Sequence, residues 1–332
     1  MQFVRLALIA FGSVSLVSAQ EPVYTLKVDV PLVSLEVAVF DAGGRPVTTL
    51  TREDFHVYED GVIQDLRNFA PVATPYNILL LFDRSGSTQD QWLFMQRAVA
   101  RFIDNLRPQD RVAIAAFDDE FEVLHDWKDS RRDATLSLAR LIKPKAAGGT
   151  DFYNSVDRAV RRQFRNVTGR KAVIVFTDGR DSRLYRQTVT LNRAPAISED
   201  RDFQKTLHDV GQSGIPVYFV ALNTDRNLES EGNDYTMLKR IFPRTTAPHD
   251  FLVGARERME QLSEVTGGRI FFPAALEDVV QLYAQIGTEL GTSYSLGYIP
   301  LSAARDGKFR RIEVRVGEAD RVWQSRTGYY SR

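Results

Sequence analysis

Between residues 76 and 290 the chain alternates short apolar runs with stretches whose apolar residues recur every three or four positions. The runs are continuous and rich in Val, Ile, Leu and Phe, which is typical of strands buried on both faces of a sheet. They cover residues 78–82, 112–117, 172–176, 217–222 and 270–272. Strands of this kind separated by helices predict a doubly wound, Rossmann-like α/β fold with a mostly parallel sheet.

The intervening stretches have the period of amphipathic helices. In the clearest one, Trp92, Met95, Val99 and Phe102 share one face, and Pro108 follows its end. Similar stretches cover residues 136–142, 152–164, 203–210, 259–265 and 276–290. Residues 120–127 follow the second strand closely and predict a hairpin with one antiparallel edge strand, whereas residues 223–248 are polar and predict an irregular insertion.

Both ends of the chain change to the period of two that marks β-strands. Residues 24–72 contain the alternating segment 33–39 and an Asp-Gly turn at residues 60–61, and residues 291–332 contain the alternating segment 309–316. Because one such segment is too small to bury a core, we expect the two to pair. The predicted architecture is an α/β domain over residues 76–290 beside a small antiparallel β-sandwich.

The N-terminal residues have the pattern of a secretory signal peptide. After Arg5, residues 6–17 are mostly apolar, and Ala19 closes a cleavage site. About a dozen apolar residues are too few to span a bilayer, which needs roughly 20, so an uncleaved anchor is the less favoured alternative. We expect residues 1–19 to be removed and the mature protein to be extracytoplasmic, periplasmic or secreted, with no membrane span.

Composition narrows the function classes. With 43 basic and 43 acidic residues the formal net charge is zero, which argues against a general nucleic-acid binder. The chain has no cysteine, so disulfides, thiolate zinc sites and a thiol nucleophile are excluded. The four histidines have no metal-ligand spacing, and no Gly-x-Ser-x-Gly elbow is present.

Oxygen-bearing side chains follow two of the predicted strands directly. Asp83, Ser85 and Ser87 leave the strand at 78–82, Asp178 leaves the strand at 172–176, and Thr150 opens a predicted helix. Ligands of open parallel sheets bind beyond the carboxyl ends of the strands, where these loops meet. Hard oxygen ligands of this type suit Mg²⁺ or Mn²⁺. The alternative is that Ser87 or Thr88, and Thr150, merely cap the helices that follow them.

At these five residues the chain resembles the von Willebrand factor type A (VWFA) family and its metal-ion-dependent adhesion site, with the pattern Asp-x-Ser-x-Ser, then Thr, then Asp. The resemblance implies that the hydroxyls of Ser85, Ser87 and Thr150 approach the metal directly. It implies that Asp83 and Asp178 act largely through water, and that a partner's carboxylate completes the coordination.

The flanking segments 53–61, 294–300 and 327–330 look similar to a bacterial, exported subgroup of that family. Arg84 departs from the usual pattern, which has a smaller residue there. We expect its side chain to point outward, toward an acidic partner.

The sequence therefore predicts an exported, non-enzymatic binding or adhesion protein that recognises an Asp or Glu carboxylate of a protein or ligand through a divalent metal. Two alternatives stay open: a metal-dependent phosphoester hydrolase with Asp83 as nucleophile, and a structural envelope protein with an inactive site. Neither the oligomeric state nor the identity of the partner follows from the sequence.

Overall fold

The structure is a computed structural model that describes residues 32–43, 45–142, 149–222, 247–273, 278–302, 306–317, 321–324 and 326–331. The predicted signal peptide, residues 1–19, and most of the predicted insertion at 223–248 lie outside the described residues. Among the described residues, no helix combines the length and the apolar character that crossing a membrane requires.

Strands occupy both ends of the described chain, and strands alternate with helices between them. The strands are β1 (Val33–Phe40), β2 (Phe55–Glu59), β3 (Val62–Gln64), β4 (Leu66–Ala70), β5 (Tyr76–Asp83), β6 (Arg111–Phe117), β7 (Phe121–His125), β8 (Arg170–Thr177), β9 (Val217–Ala221), β10 (Ile270–Phe271), β11 (Ser293–Tyr298), β12 (Phe309–Val316), β13 (Arg321–Gln324) and β14 (Gly328–Tyr330). The helices are α1 (Trp92–Asn105), α2 (Arg131–Ser137), α3 (Phe152–Arg161), α4 (Ser182–Leu191), α5 (Arg201–Gly211), α6 (Ala247–Thr266) and α7 (Asp278–Thr292).

The central sheet has six strands in the order β10-β9-β8-β5-β6-β7. All neighbours are parallel except β6 and β7, which form the predicted antiparallel hairpin. The chain builds one side of the sheet from β5 outward and then returns to build the other side from β8. The strand order therefore reverses between β5 and β8, the place where such sheets bind ligands. The predicted doubly wound α/β fold is confirmed.

Helices cover both faces of this sheet. Helices α1 and α7 pack on one face through residues such as Val99 and Ile286, and α3, α5 and α6 pack on the other through residues such as Val156, Phe203 and Met259. The helix expected at 136–142 begins earlier, as α2, and ends as a 3₁₀ turn over Leu138–Ile142. Helix α4 was not predicted.

The terminal segments together form two antiparallel four-stranded sheets, with orders β13-β1-β11-β4 and β14-β12-β2-β3. In the first sheet the N-terminal β1 lies between the C-terminal strands β11 and β13. Apolar side chains of both ends, including Leu35, Val57, Leu296 and Val314, fill the space between the sheets. Because Asp65 alone separates β3 from β4, the chain passes directly from one sheet to the other at that edge.

A buried polar cluster joins the sandwich to the base of the central sheet. The guanidinium of Arg170, at the start of β8, donates to Glu36 Oε2 on β1 at 2.8 Å and to the carbonyl of Ser293, where α7 passes into β11. The Tyr76 hydroxyl, at the start of β5, also donates to Glu36 Oε2. Since these groups satisfy one another out of water, the cluster fixes the sandwich against the end of the sheet opposite the candidate site.

Candidate metal centre

The predicted site lies at the point where the strand order reverses. Asp83 is the last residue of β5, and Asp178 directly follows β8, the parallel neighbour of β5. The loop after β5 leads to α1 on one face, and the loop after β8 leads to α4, whose Leu184 packs on the other face. The rings of Phe82, one residue before Asp83, and Phe176, two residues before Asp178, stack with their centroids 4.7 Å apart. From these strand ends the two loops lead toward opposite faces of the sheet.

The first loop is held by hydrogen bonds among its own residues. The amide of Ser85 donates to Asp83 Oδ1 at 2.9 Å, and the hydroxyls of Ser85 and Ser87 lie 3.1 Å apart. Thr88 Oγ1 donates to the carbonyls of Asp83 and Ser85, at 2.8 and 3.1 Å, and accepts from Trp92 Nε1. The loop therefore presents two adjacent serine hydroxyls beside a buried carboxylate.

Helix capping does not explain these side chains. The residue at the N-cap of α1 is Gln91, and the one at the N-cap of α3 is Asp151; neither makes a side-chain capping bond. A 3₁₀ turn over Gly86–Gln91 separates Ser87 from α1, and Thr88 is engaged with the strand end. The alternative in which Ser87, Thr88 and Thr150 serve only as caps is therefore wrong.

Thr177 and Arg180 complete the second loop, and neither was among the site residues predicted from the sequence. Thr177 Oγ1 donates to Asp83 Oδ2 at 2.6 Å and accepts from the Gly179 amide, so it links the two loops. Asp178 Oδ1 accepts from the amide of Arg180, and its Oδ2 faces Arg180 Nε at 3.3 Å in an ion pair. Within the described chain, no hydrogen bond of good geometry reaches Asp178 Oδ2.

The ionised form of the Asp83 carboxyl is unfavourable in the protein without a bound cation. Burial raises the pKa of Asp83 to about 7, and the nearby carboxylate of Asp178 adds to the rise. Hydrogen bonds from Ser85 and Thr177 oppose it without cancelling it. Both aspartate side chains are fully buried. Two buried carboxylates this close favour the arrival of a cation.

Thr150 reaches the same edge through its backbone. Its amide donates to Ser182 Oγ at 2.8 Å, and its carbonyl accepts from the Ser182 amide at 2.9 Å, which ties this loop to the start of α4. A Cβ at Gly149 would lie 2.5 Å from Ser182 Oγ, so the close approach requires glycine there. Among the described residues, no hydrogen bond engages the Thr150 hydroxyl.

Arg84 differs from the sequence expectation of an outward side chain. It is buried, and its guanidinium pairs with Asp118 at 3.3 Å and with Glu122 at 2.9 Å, on the hairpin of β6 and β7. Its amide also donates to the carbonyl of Phe117. Arg84 therefore braces the first loop within the protein and is committed to internal acids, with no role as an acidic-partner contact.

The residue types present fit a small divalent cation. The donor atoms are hydroxyl and carboxylate oxygens, which Mg²⁺ and Mn²⁺ prefer. Among the described residues, no three His, Cys, Asp or Glu side chains are grouped so that they could hold a metal. That outcome is compatible with a site that has two carboxylates and otherwise hydroxyls.

Comparisons with solved structures give distant similarities. A von Willebrand factor type A protein from Catenulispora acidiphila is 12% identical over 91% of this chain and 73% of that chain, with a TM-score of 0.46. An aerotolerance-related membrane protein from Bacteroides fragilis is 15% identical over 64% of this chain and 99% of that chain, with a TM-score of 0.43. Proximal thread matrix protein 1 of the mussel byssus is 14% identical over 70% and 50%, with a TM-score of 0.45.

A search of curated protein sequences found no match. The family model of the von Willebrand factor type A domain matches residues 77–265, more than half of the 332-residue chain. The match begins in β5 and ends in α6, so it includes both loops of the candidate metal centre. The chain therefore belongs to the von Willebrand factor type A domain family.

Proposed function

We propose that this protein is an exported, non-enzymatic binding protein that recognises an Asp or Glu carboxylate of a protein or ligand through Mg²⁺ or Mn²⁺. The residues that would hold the metal are Asp83, Ser85, Ser87, Thr150 and Asp178. Domains of this family are protein-interaction folds and are typically non-enzymatic. When bound, the metal would supply positive charge that a partner's carboxylate can complement.

One observation carries the proposal. Two buried carboxylates, Asp83 and Asp178, lie beside a pair of serine hydroxyls, and the pKa of Asp83 is raised by burial and by its neighbour. A protein that needed these groups only for folding would be better served by neutral residues, because burying charge without full compensation is costly. A cation relieves this cost.

The geometry favours binding over hydrolysis by Asp83. Both of its carboxylate oxygens accept hydrogen bonds, from the Ser85 amide and the Thr177 hydroxyl, and the side chain is fully buried. The raised pKa further lowers the fraction of nucleophilic carboxylate at neutral pH. The position two residues later, where phosphatases that use an aspartate nucleophile generally have a second carboxylate, is Ser85.

Calorimetric titration of Mg²⁺ and Mn²⁺ tests the site, and Thr150→Val is the sharpest variant. Valine keeps the shape of threonine but removes the hydroxyl, which makes no hydrogen bond to other described residues. A weaker metal affinity would then report the loss of a ligand and not of a structural bond. Thr168→Val, at an exposed threonine before β8 on the opposite edge of the sheet, is the matched control.

The proposal predicts one-site binding in the wild-type protein and the Thr168 variant, weaker binding in the Thr150 variant, and none in Asp83→Ala. No binding to the wild-type protein would favour the structural alternative with an inactive site. Metal-dependent turnover of a generic phosphoester, lost in Asp83→Ala, would favour the hydrolase.

Export is the second part of the proposal, and it depends on the signal-peptide pattern of residues 1–19. The expected observation is a mature protein that begins at Gln20 in a periplasmic or culture fraction, identified by intact mass. A protein that retains residues 1–19 and is found only in the cytoplasm would contradict it.

A further inference from the structure

The surface next to the candidate metal centre, along α4, is basic. Arg180 lies in the loop before α4, and Arg183 and Arg186 lie on the helix. The sequence of α4 contains no Asp or Glu. Asp181, its N-cap, is buried and accepts from the amide of Arg183, so it offers no exposed negative charge.

The arginines of this surface differ in whether acidic side chains form ion pairs with them. Arg183 pairs with Asp181 at 3.3 Å and with Asp151, the residue after Thr150. Arg186, one turn further along α4, is exposed and has no ion pair with any described residue. A positive charge with no ion pair among the described residues therefore stands about one helical turn beyond Arg183 on α4.

Beyond Arg186 the same side of α4 borders a groove of about 470 Å³. Its walls include Thr190, Leu191 and Pro195, and Leu191 is 48% exposed. The acidic residue that lines the groove, Glu199, already accepts two hydrogen bonds from the guanidinium of Arg193, at 2.8 and 3.1 Å. The groove thus combines an apolar wall with one uncompensated cation at the end nearer the candidate site.

We propose that this surface, here called the α4 groove (Arg186, Thr190, Leu191 and Pro195), binds the residues that flank the metal-bound carboxylate of an acidic protein segment. The inference rests on the proposed function, since the segment is anchored by a carboxylate at the metal. A second acidic side chain then faces Arg186, and an apolar side chain packs on Leu191 and Pro195. Charge complementarity selects this occupant over a neutral segment.

The length of α4 sets the spacing of the acidic and apolar residues in the bound segment. Helix α4 has ten residues and rises about 1.5 Å per residue, so it is about 15 Å long. An extended peptide covers about 3.3 Å per residue and spans that length in roughly four or five residues. The expected segment has its anchoring acid first, a second acid about two residues later, and an apolar residue about two residues after that.

Fluorescence anisotropy with a dye-labelled peptide of that pattern tests the inference. The peptide has one aspartate, then a glutamate and a leucine at successive two-residue intervals, with glycine between them. The protein variants are Arg186→Glu and Arg162→Glu. Arg162 is an exposed arginine at the end of α3 remote from the candidate site, so it matches the change in net charge. A second peptide with only the aspartate measures the anchor alone, and each titration is repeated with EDTA.

The expected result is that Arg186→Glu weakens binding of the full peptide roughly three- to tenfold, as expected for exchanging one exposed charge attraction for a repulsion. It leaves the aspartate-only peptide unchanged, and Arg162→Glu changes neither. Equal effects of the two variants, or no effect of Arg186→Glu on an EDTA-sensitive complex, would overturn the α4 groove and leave the metal-dependent function standing. Binding that depends on Arg186 but is insensitive to EDTA would overturn the proposed function instead.

Discussion

The ionisation of Asp83 should make the metal-free protein less stable as the pH rises, which is the reverse of what a salt-bridged carboxylate does. In the unfolded chain this carboxyl loses its proton near pH 3.8, whereas burial and Asp178 raise the pKa in the folded state to about 7. Between these values the folded protein holds a proton that the unfolded chain has lost. The stabilisation is thus full below about pH 3.8 and is lost as the pH rises through about 7.

The size follows from the difference between the two pKa values. Each pKa unit corresponds to about 1.4 kcal/mol, so the contribution of Asp83 to the free energy of unfolding falls by about 4 kcal/mol between pH 4 and pH 8. Other groups also titrate in this range. The informative quantity is therefore the difference between the wild-type protein and Asp83→Asn, in which this side chain does not ionise.

Urea unfolding in EDTA, at one-unit steps from pH 4 to pH 8, measures that difference. We expect the wild-type protein to lose stability relative to Asp83→Asn as the pH rises, and saturating Mg²⁺ at pH 8 to restore it in the wild-type protein alone. Parallel stability curves for the two proteins in EDTA would refute the reasoning, because they would mean that Asp83 titrates alike in the folded and unfolded states.

Three further perturbations follow from other contacts. Arg180→Ala removes the guanidinium that lies 3.3 Å from Asp178, and calorimetry should show Mg²⁺ binding about fivefold tighter, equivalent to about 1 kcal/mol; unchanged affinity would count against a metal-binding Asp178. Glu36→Ala leaves the guanidinium of Arg170 buried without its carboxylate partner and should lower the free energy of unfolding in urea by about 3–5 kcal/mol, more than Glu36→Gln does. An unchanged urea midpoint would contradict the buried pair. Burial lowers the pKa of His125 from 6.5, so the unfolded chain takes up the proton first, and the stability of the protein falls as the pH drops below about 6.5. His125→Gln should make that fall in stability less steep in thermal melts. An equally steep fall in the variant would exclude His125 as its source.

The fold was predictable because the buried strands are marked twice, by continuous apolar runs and by their spacing. Helix α4 was missed for a physical reason. Its buried residues include Leu184 and Thr188, whereas its apolar residues Val189 and Leu191 are exposed. A helix with so few apolar residues has no continuous apolar stripe to mark it in the sequence, so tertiary packing decides its structure.

The positions of the candidate ligands were predictable because each follows a strand or opens a helix. The roles of the arginines among them were not. The partners of Arg84 are Asp118 and Glu122, which lie on the β6–β7 hairpin, more than 30 residues away along the chain. The contact of Arg180 with Asp178 is close in sequence, but its direction depends on how the loop turns at Gly179, whose φ of 73° places the following residues.

The contact of Arg180 with Asp178 should give metal binding and partner binding opposite responses to one substitution. The Arg180 guanidinium lies 3.3 Å from Asp178 Oδ2, so a divalent cation held by that carboxylate would meet a positive charge close by. The same guanidinium would attract the carboxylate of a partner that arrives at the metal. Arg180→Ala should therefore strengthen metal binding yet weaken binding of an acidic peptide to the metal-loaded protein. These opposite signs distinguish a cation that belongs to the site from one that merely blocks it.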